Sequence, residues 1–136
     1  MKTLKDLVGY RLMSLNKNGF TVMHPETGHQ YRFNIHENDG DCCGYNEIKT
    51  TFHMNITKKK AKRLHLDINT APAITKVEYL RDDSGEEDYC MITFFGLDKE
   101  LGIIESTSSS GSGWGYGATV TVLCHELDFE ETITSY

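Results

Sequence analysis

"HPETGHQYRFNIH", residues 24–36, opens on a turn and runs into a strand. Pro25, Glu26, Thr27 and Gly28 are turn formers. Beyond them Tyr31, Phe33 and Ile35 share one parity, and Gln30, Arg32 and Asn34 share the other. A period of two places the three large apolar side chains on one face of a half-buried strand. Towards the N-terminus, "LVGYRLMSL" (7–15), "NKNG" (16–19) and "FTVMHP" (20–25) read as strand, turn, strand, because Asn18-Gly19 tolerates positive φ. The opening of the chain therefore predicts a three-stranded meander.

The same reading extends towards the C-terminus. "HENDGD" (36–41) is a polar loop, and "GYNEIKTTFHMNI" (44–56) is a strand marked by Ile48, Phe52, Met54 and Ile56. Its alternation slips near Thr50-Thr51, where a bend or bulge is expected. "TKKKAKRLHLDI" (57–68) is the best helix candidate, with Thr57 to cap it and Lys and Ala to propagate it. A solvated edge strand is the alternative. "AITKVEYL" (73–80) is a strand with Ile74, Val77 and Leu80 as core candidates, "RDDSGEED" (81–88) an acidic turn, and "YCMITFFGL" (89–97) the most buried-looking strand. "DKELGIIES" (98–106) returns, "TSSSGSG" (107–113) reads as a flexible loop, and "WGYGATVTVLCHEL" (114–127) is the last long strand. Its Trp114, Tyr116, Ala118, Val120 and Val122 share one parity. The expected fold is mainly β, α+β at most. It is a single domain over 1–136, an antiparallel meander curled or sandwiched, with at most one short helix near 57–66.

The totals agree. A chain of 136 residues suits one domain and buries a core without staples. Two prolines and 12 glycines suit a sheet with tight turns. The net charge is −6, with a sequence pI near 5.4. An acidic surface disfavours direct nucleic-acid binding, which needs clustered Lys and Arg, and suits a partner with a basic groove. The opening residues carry no signal-peptide run, and no stretch approaches a membrane span. The expectation is a cytoplasmic protein with reduced thiols.

Chemistry concentrates at "ENDGDCCGYNEI" (37–48), where Cys42 and Cys43 are adjacent. Neighbours on a strand point to opposite faces, so both meet one metal only if the backbone turns, as Gly40 and Gly44 allow. Zinc takes about four N or S ligands. His36, Asp41, Cys42, Cys43 and His53 are near in sequence, and Cys90, Cys124 and His125 are candidates through the fold. Cys42, Cys43 and His36 form the candidate zinc set, although no C-x-x-C or H-x-x-x-H spacing occurs. A catalytic thiol would need His36 or His53 as base. Core packing is the reading these cysteines favour first, with no cofactor.

Other features carry paired readings. In "GSGWGYGATVTV" (111–122), Gly alternating with Trp114 and Tyr116 makes either a contact anchor or a bare stripe for close packing. "KKKAKR" (58–63) is a patch for an acidic partner or a solvated helix face. "DDSGEED" and "HELDFEE" are phosphate-like acidic clusters or solvated turns. "ENDGD" lacks the register of a calcium loop. The sequence holds no Ser-His-Asp order, paired-carboxylate signature or dinucleotide fingerprint, so an enzyme is disfavoured.

Five segments stand in a fixed order: "DLVGYRL", "GDCCGYNEI", "ITKVEYL", "CMITFFGL" and "SSSGSGWGYGATVTV". This order resembles a family of small proteins of unknown function, many encoded by phages and prophages, with a central Asp-Cys-Cys motif. That motif maps to Asp41, Cys42 and Cys43. The family's closing Gly-Ser-Asn-Gly-Tyr-Tyr-like turn maps to Gly111 to Gly117. The sequence departs at Gly44, where the family pattern has an acidic residue. The resemblance implies a β-rich fold and a phage-like context, and no activity.

The expected function is that of a small acidic phage or prophage accessory protein. It binds and inhibits or modulates a host protein in the bacterial cytoplasm, as an anti-defence, anti-CRISPR-like factor would. Trp114, Tyr116, Asp82, Asp83, Glu86 and Glu87 are the expected contacts. One alternative is a zinc-binding domain or metal-assisted enzyme using the Cys-Cys region. Another is a virion or assembly component that forms homo-oligomers through a strand edge.

Overall fold

The computed structural model describes residues 1–40, 44–53, 71–83, 85–97, 99–110 and 117–136. A 3-10 turn, Leu4–Leu7, precedes the strands β1 (Arg11–Asn16), β2 (Gly19–Met23) and β3 (Gln30–Asn38). Next come β4 (Tyr45–Phe52), β5 (Lys76–Asp82) and β6 (Glu87–Gly96). The chain closes with β7 (Lys99–Ser109), β8 (Thr119–Cys124) and β9 (Phe129–Ser135). Two antiparallel sheets form, in the orders β1-β2-β3-β8-β9 and β4-β7-β6-β5.

Alternation decides which side chains meet between the sheets. From the first sheet Phe20, Val22, Phe33, Val120, Val122 and Ile133 are fully buried. From the second come Cys90, Ile92, Phe94, Leu101 and Ile104. Phe20 stacks on Phe33 with ring centroids 4.8 Å apart and meets Phe94 of the facing sheet at 5.2 Å. This is the mainly β, single-domain, sandwiched arrangement that the alternation predicts.

The connectivity is not a simple meander. After β1-β2-β3 the chain crosses to the second sheet. There β5, β6 and β7 are joined by hairpins, and β4 lies beside β7. That is a Greek-key order read from the C-terminal end. The chain then crosses back, and β8 inserts beside β3.

Several local expectations change. Leu7 to Tyr10 do not belong to the first strand. Leu7 closes the 3-10 turn, which Thr3 and Asp6 cap reciprocally, and β1 starts at Arg11. The bulge near Thr50-Thr51 does not form, because β4 pairs with β7 in unbroken register from Tyr45↔Ser109 to Phe52↔Gly102. Leu80 is not core. It is 57% exposed, because Val77 faces inward and a residue three further on faces out. Thr107, Ser108 and Ser109, expected in a loop, complete β7. A further strand, β9, follows the one expected to be last. The helix candidate at 57–66, the cations at 58–63, Met54 and Ile56 lie outside the described residues.

Three sheet edges are covered. Along β1, Leu12 N–H donates to Pro72 O, and Ile74 N–H donates to Tyr10 O. The 3-10 turn packs beside β5, where Leu4 N–H donates to Tyr79 Oη. Side chains of the opposite sheet reach the outer edge of β9. Arg81 donates to Ile133 O at 2.8 Å, and Asp88 accepts from Ser135 N–H at 2.7 Å.

Candidate functional site

One end of the sandwich gathers the features that the sequence singles out. Registers place there the end of β3, the starts of β4 and β6 and the end of β7. Asn38 pairs with Thr119 and Thr119 with Ser135, so the start of β8 and the end of β9 lie there too. The acidic β5–β6 hairpin projects from the same end. Gly85 turns it at φ 76°, and Asp82, Asp83, Glu86 and Glu87 are all exposed.

A buried polar network ties the two sheets together at this end. Ser106 and Ser108 Oγ lie 2.6 and 2.8 Å from Thr134 Oγ1. Ser108 donates to Asn46 Oδ1 at 2.6 Å, and Asn46 Nδ2 donates to Asn38 O at 2.9 Å. Every buried side-chain polar atom among the described residues has a partner. A network satisfied in this way fixes the geometry of the end.

Cys42, Cys43, Trp114 and Tyr116 lie outside the described residues. Their described flanks meet. A Cβ on Gly117 would sit 3.5 Å from Gly40 Cα, and one on Gly44 would sit 3.3 Å from the Ala118 Cβ. A Cβ on Gly44 would also overlap the Asp39 carbonyl oxygen. Gly44 therefore stands where a side chain does not fit. Gly117 N–H donates to Tyr136 O and Tyr136 N–H to Ala118 O, which fastens the C-terminal residue to the same place.

His36 is exposed on β3, opposite Thr121, on the outer face of the five-stranded sheet. His53 follows β4 at its far end, with Nε2 4.0 Å from Glu100. At ~3.3 Å per residue, the nine steps along β4 separate it from Gly44 by ~30 Å. Cys124 ends β8, also away from this end, and is buried. Cys90 is buried in β6, and burial pushes its thiol up to about 11, so it stays protonated at neutral pH. Among the described residues no group of three or more His, Cys, Asp and Glu is placed to hold a metal ion, and no helix is long and apolar enough to cross a membrane.

Sequence reading missed two aromatics here. Tyr45 is 48% exposed and Tyr136 36%. Tyr45 leads β4 at an outward position, which its parity opposite Ile48 signals. Its Oη donates to Glu47 Oε2 at 3.4 Å, and Tyr89 Oη donates to Glu105 Oε1 at 3.3 Å. The Glu47 charge raises the Tyr45 phenol above its usual pKa. Burial, and then the Glu105 charge, does the same at Tyr89. Both phenols therefore experience a negative local field. Comparison with protein-family models, curated proteins and solved structures finds no match to this chain.

Proposed function

We propose that this chain is a phage-type accessory protein. It binds a basic surface of a host bacterial protein and blocks that surface, as an anti-defence factor would. The observation that carries the reading is the convergence at one end. Four exposed carboxylates on a single hairpin stand beside exposed Tyr45 and Tyr136 and beside the flanks of the Trp114 and Tyr116 segment. Aromatics supply contact area at low entropic cost, and clustered carboxylates steer a basic partner. The ordered segments that resemble the phage-encoded family support the phage context. The proposed location is the bacterial cytoplasm.

The test is expression of the tagged chain in a bacterial host, with mass spectrometry of what co-purifies. The expected result is one dominant stoichiometric host protein whose recovery is lost on charge reversal of Asp82, Asp83, Glu86 and Glu87 to Lys. A partner retained in full by that variant at low salt contradicts acidic docking.

A further inference from the structure

The β4-β7-β6-β5 sheet has a second face, and it is not the alternating polar surface expected of a sandwich exterior. Register places Leu80 beside Met91, and Asp82 beside Tyr89. On β7, Ile103 shares this face, opposite Thr93 and Thr51. Leu80 is 57% exposed, while Tyr89, Met91 and Ile103 are half-buried. At the β5 margin a shallow pocket of about 290 Å³ is lined by Lys5, Glu78, Tyr79, Leu80, Met91 and Thr93.

Carboxylates surround this apolar centre. Glu78 and Asp82 stand on β5, Glu87 on β6, Glu105 on β7 and Glu47 on β4. The cations among them are already engaged. Lys49 Nζ is 3.6 Å from Glu47, Lys76 Nζ is 2.8 Å from Glu78, and Lys5 Nζ lies 5.9 Å from the centroid of the Tyr79 ring. Among the described residues the face therefore carries a negative excess around exposed aliphatic and aromatic groups. A second copy of the chain docked here face to face would oppose like charges, which disfavours self-association.

We infer that this outer sheet face is the docking surface itself. Its occupant is a segment of the partner protein that carries an apolar side chain flanked by Lys or Arg. The apolar group seats on Leu80 and Met91, and the cations meet Glu105 and Glu87. The inference rests on the proposed binding function and extends the contact from the acidic hairpin across the sheet. Charge complementarity selects the occupant, and the Leu80 patch supplies the desolvated centre that a charged rim alone lacks.

The probe is a short synthetic peptide of alternating leucine and arginine, titrated into the isotope-labelled chain. Amide shifts are expected on β5, β6, β7 and β4. Leu80→Ser and Glu105→Lys should each weaken binding about tenfold, equivalent to about 1.4 kcal/mol. Both side chains point outward, so melting temperatures should stay near wild type. A glycine-arginine peptide should bind more weakly than the leucine-arginine one. Shifts confined to the opposite end, near His29 and Glu126, would overturn the inference, as would unchanged affinity in both variants. The co-purified host protein separates the two levels. If its recovery is lost on reversal of the hairpin acids but not in Leu80→Ser or Glu105→Lys, the sheet-face inference falls and the hairpin reading stands. Recovery unaffected by any of these substitutions overturns both.

Discussion

Tyr79 joins three parts of the chain through one hydroxyl. It accepts from Leu4 N–H at 3.0 Å and donates to Glu131 Oε1 at 2.7 Å, while the Arg81 guanidinium lies 5.3 Å from its ring centroid. Tyr79→Phe removes both hydrogen bonds and leaves the Leu4 amide without its acceptor. The expected cost is about 1–3 kcal/mol in urea unfolding. The same corner sets the alkaline limit. Burial raises the Cys90 thiol to about 11 from an unfolded value near 9.0, and burial with the Glu131 hydrogen bond also raises the Tyr79 phenol. A raised pKa favours the neutral form in the fold. Its contribution is whole below the unfolded pKa and is lost as pH rises through the folded one. Melting temperature should therefore fall as pH rises from about 9 towards 11, and Cys90→Ala should flatten part of that fall. Gly19 was legible as a turn residue. Its φ is 148°, and a Cβ there would overlap the Phe33 carbonyl oxygen, so Gly19→Ala should cost at least 1 kcal/mol on the order of other strained turn sites. The steric demand at Gly44 was not legible, because sequence spacing does not show that the carbonyl oxygen of Asp39, five residues earlier, lies against it.

At the scale of elements, strands written in large apolar residues could be read and strands written in hydroxyls and charges could not. β6 shows itself because Cys90, Ile92 and Phe94 alternate without interruption. The C-terminal half of β7 does not, because its inward positions are Ser106 and Ser108. These are buried by bonding Thr134 and Asn46, which lie on two other strands. Ser108→Ala should destabilise by about 1–3 kcal/mol, because it strips a donor from the Asn46 carbonyl inside the sandwich. Chemical denaturation measures it. β9 hides for a related reason. Glu131 occupies the parity shared by Phe129 and Ile133, and a carboxylate at a core-facing position masks the alternation until Tyr79 supplies its partner. This strand also has an edge to protect. Arg81 and Asp88 cover its backbone, so replacing both with Ala should expose a pairing template. The expected outcome is concentration-dependent self-association in light scattering, against a wild type whose mass does not change with concentration.

At the scale of the whole molecule, topology turns scattered motifs into one surface. The acidic hairpin, Tyr45, Tyr136 and the flanks of 41–43 and 111–116 are far apart in sequence and share one end, because β3, β4, β6, β7, β8 and β9 all begin or finish there. The acidic residues were legible as contact candidates, since composition alone exposes them. The place of Tyr45 and Tyr136 at that end was not, because it depends on strand order across the β3-to-β4 and β7-to-β8 crossings, whereas Leu80 was misplaced by local parity, three residues on from inward Val77. His53 and Cys124 show the converse: residues grouped by sequence reasoning are held at the other end by strand length. The most direct measurement is carbodiimide cross-linking of the complex that co-purifies from the bacterial host, because this reagent joins carboxylates to lysines in contact. Cross-links from Asp82, Asp83, Glu86, Glu87 and Glu105 to partner lysines are the predicted result. Cross-links arising only from Glu26, Glu126 and Glu130, at the opposite end, would contradict the account.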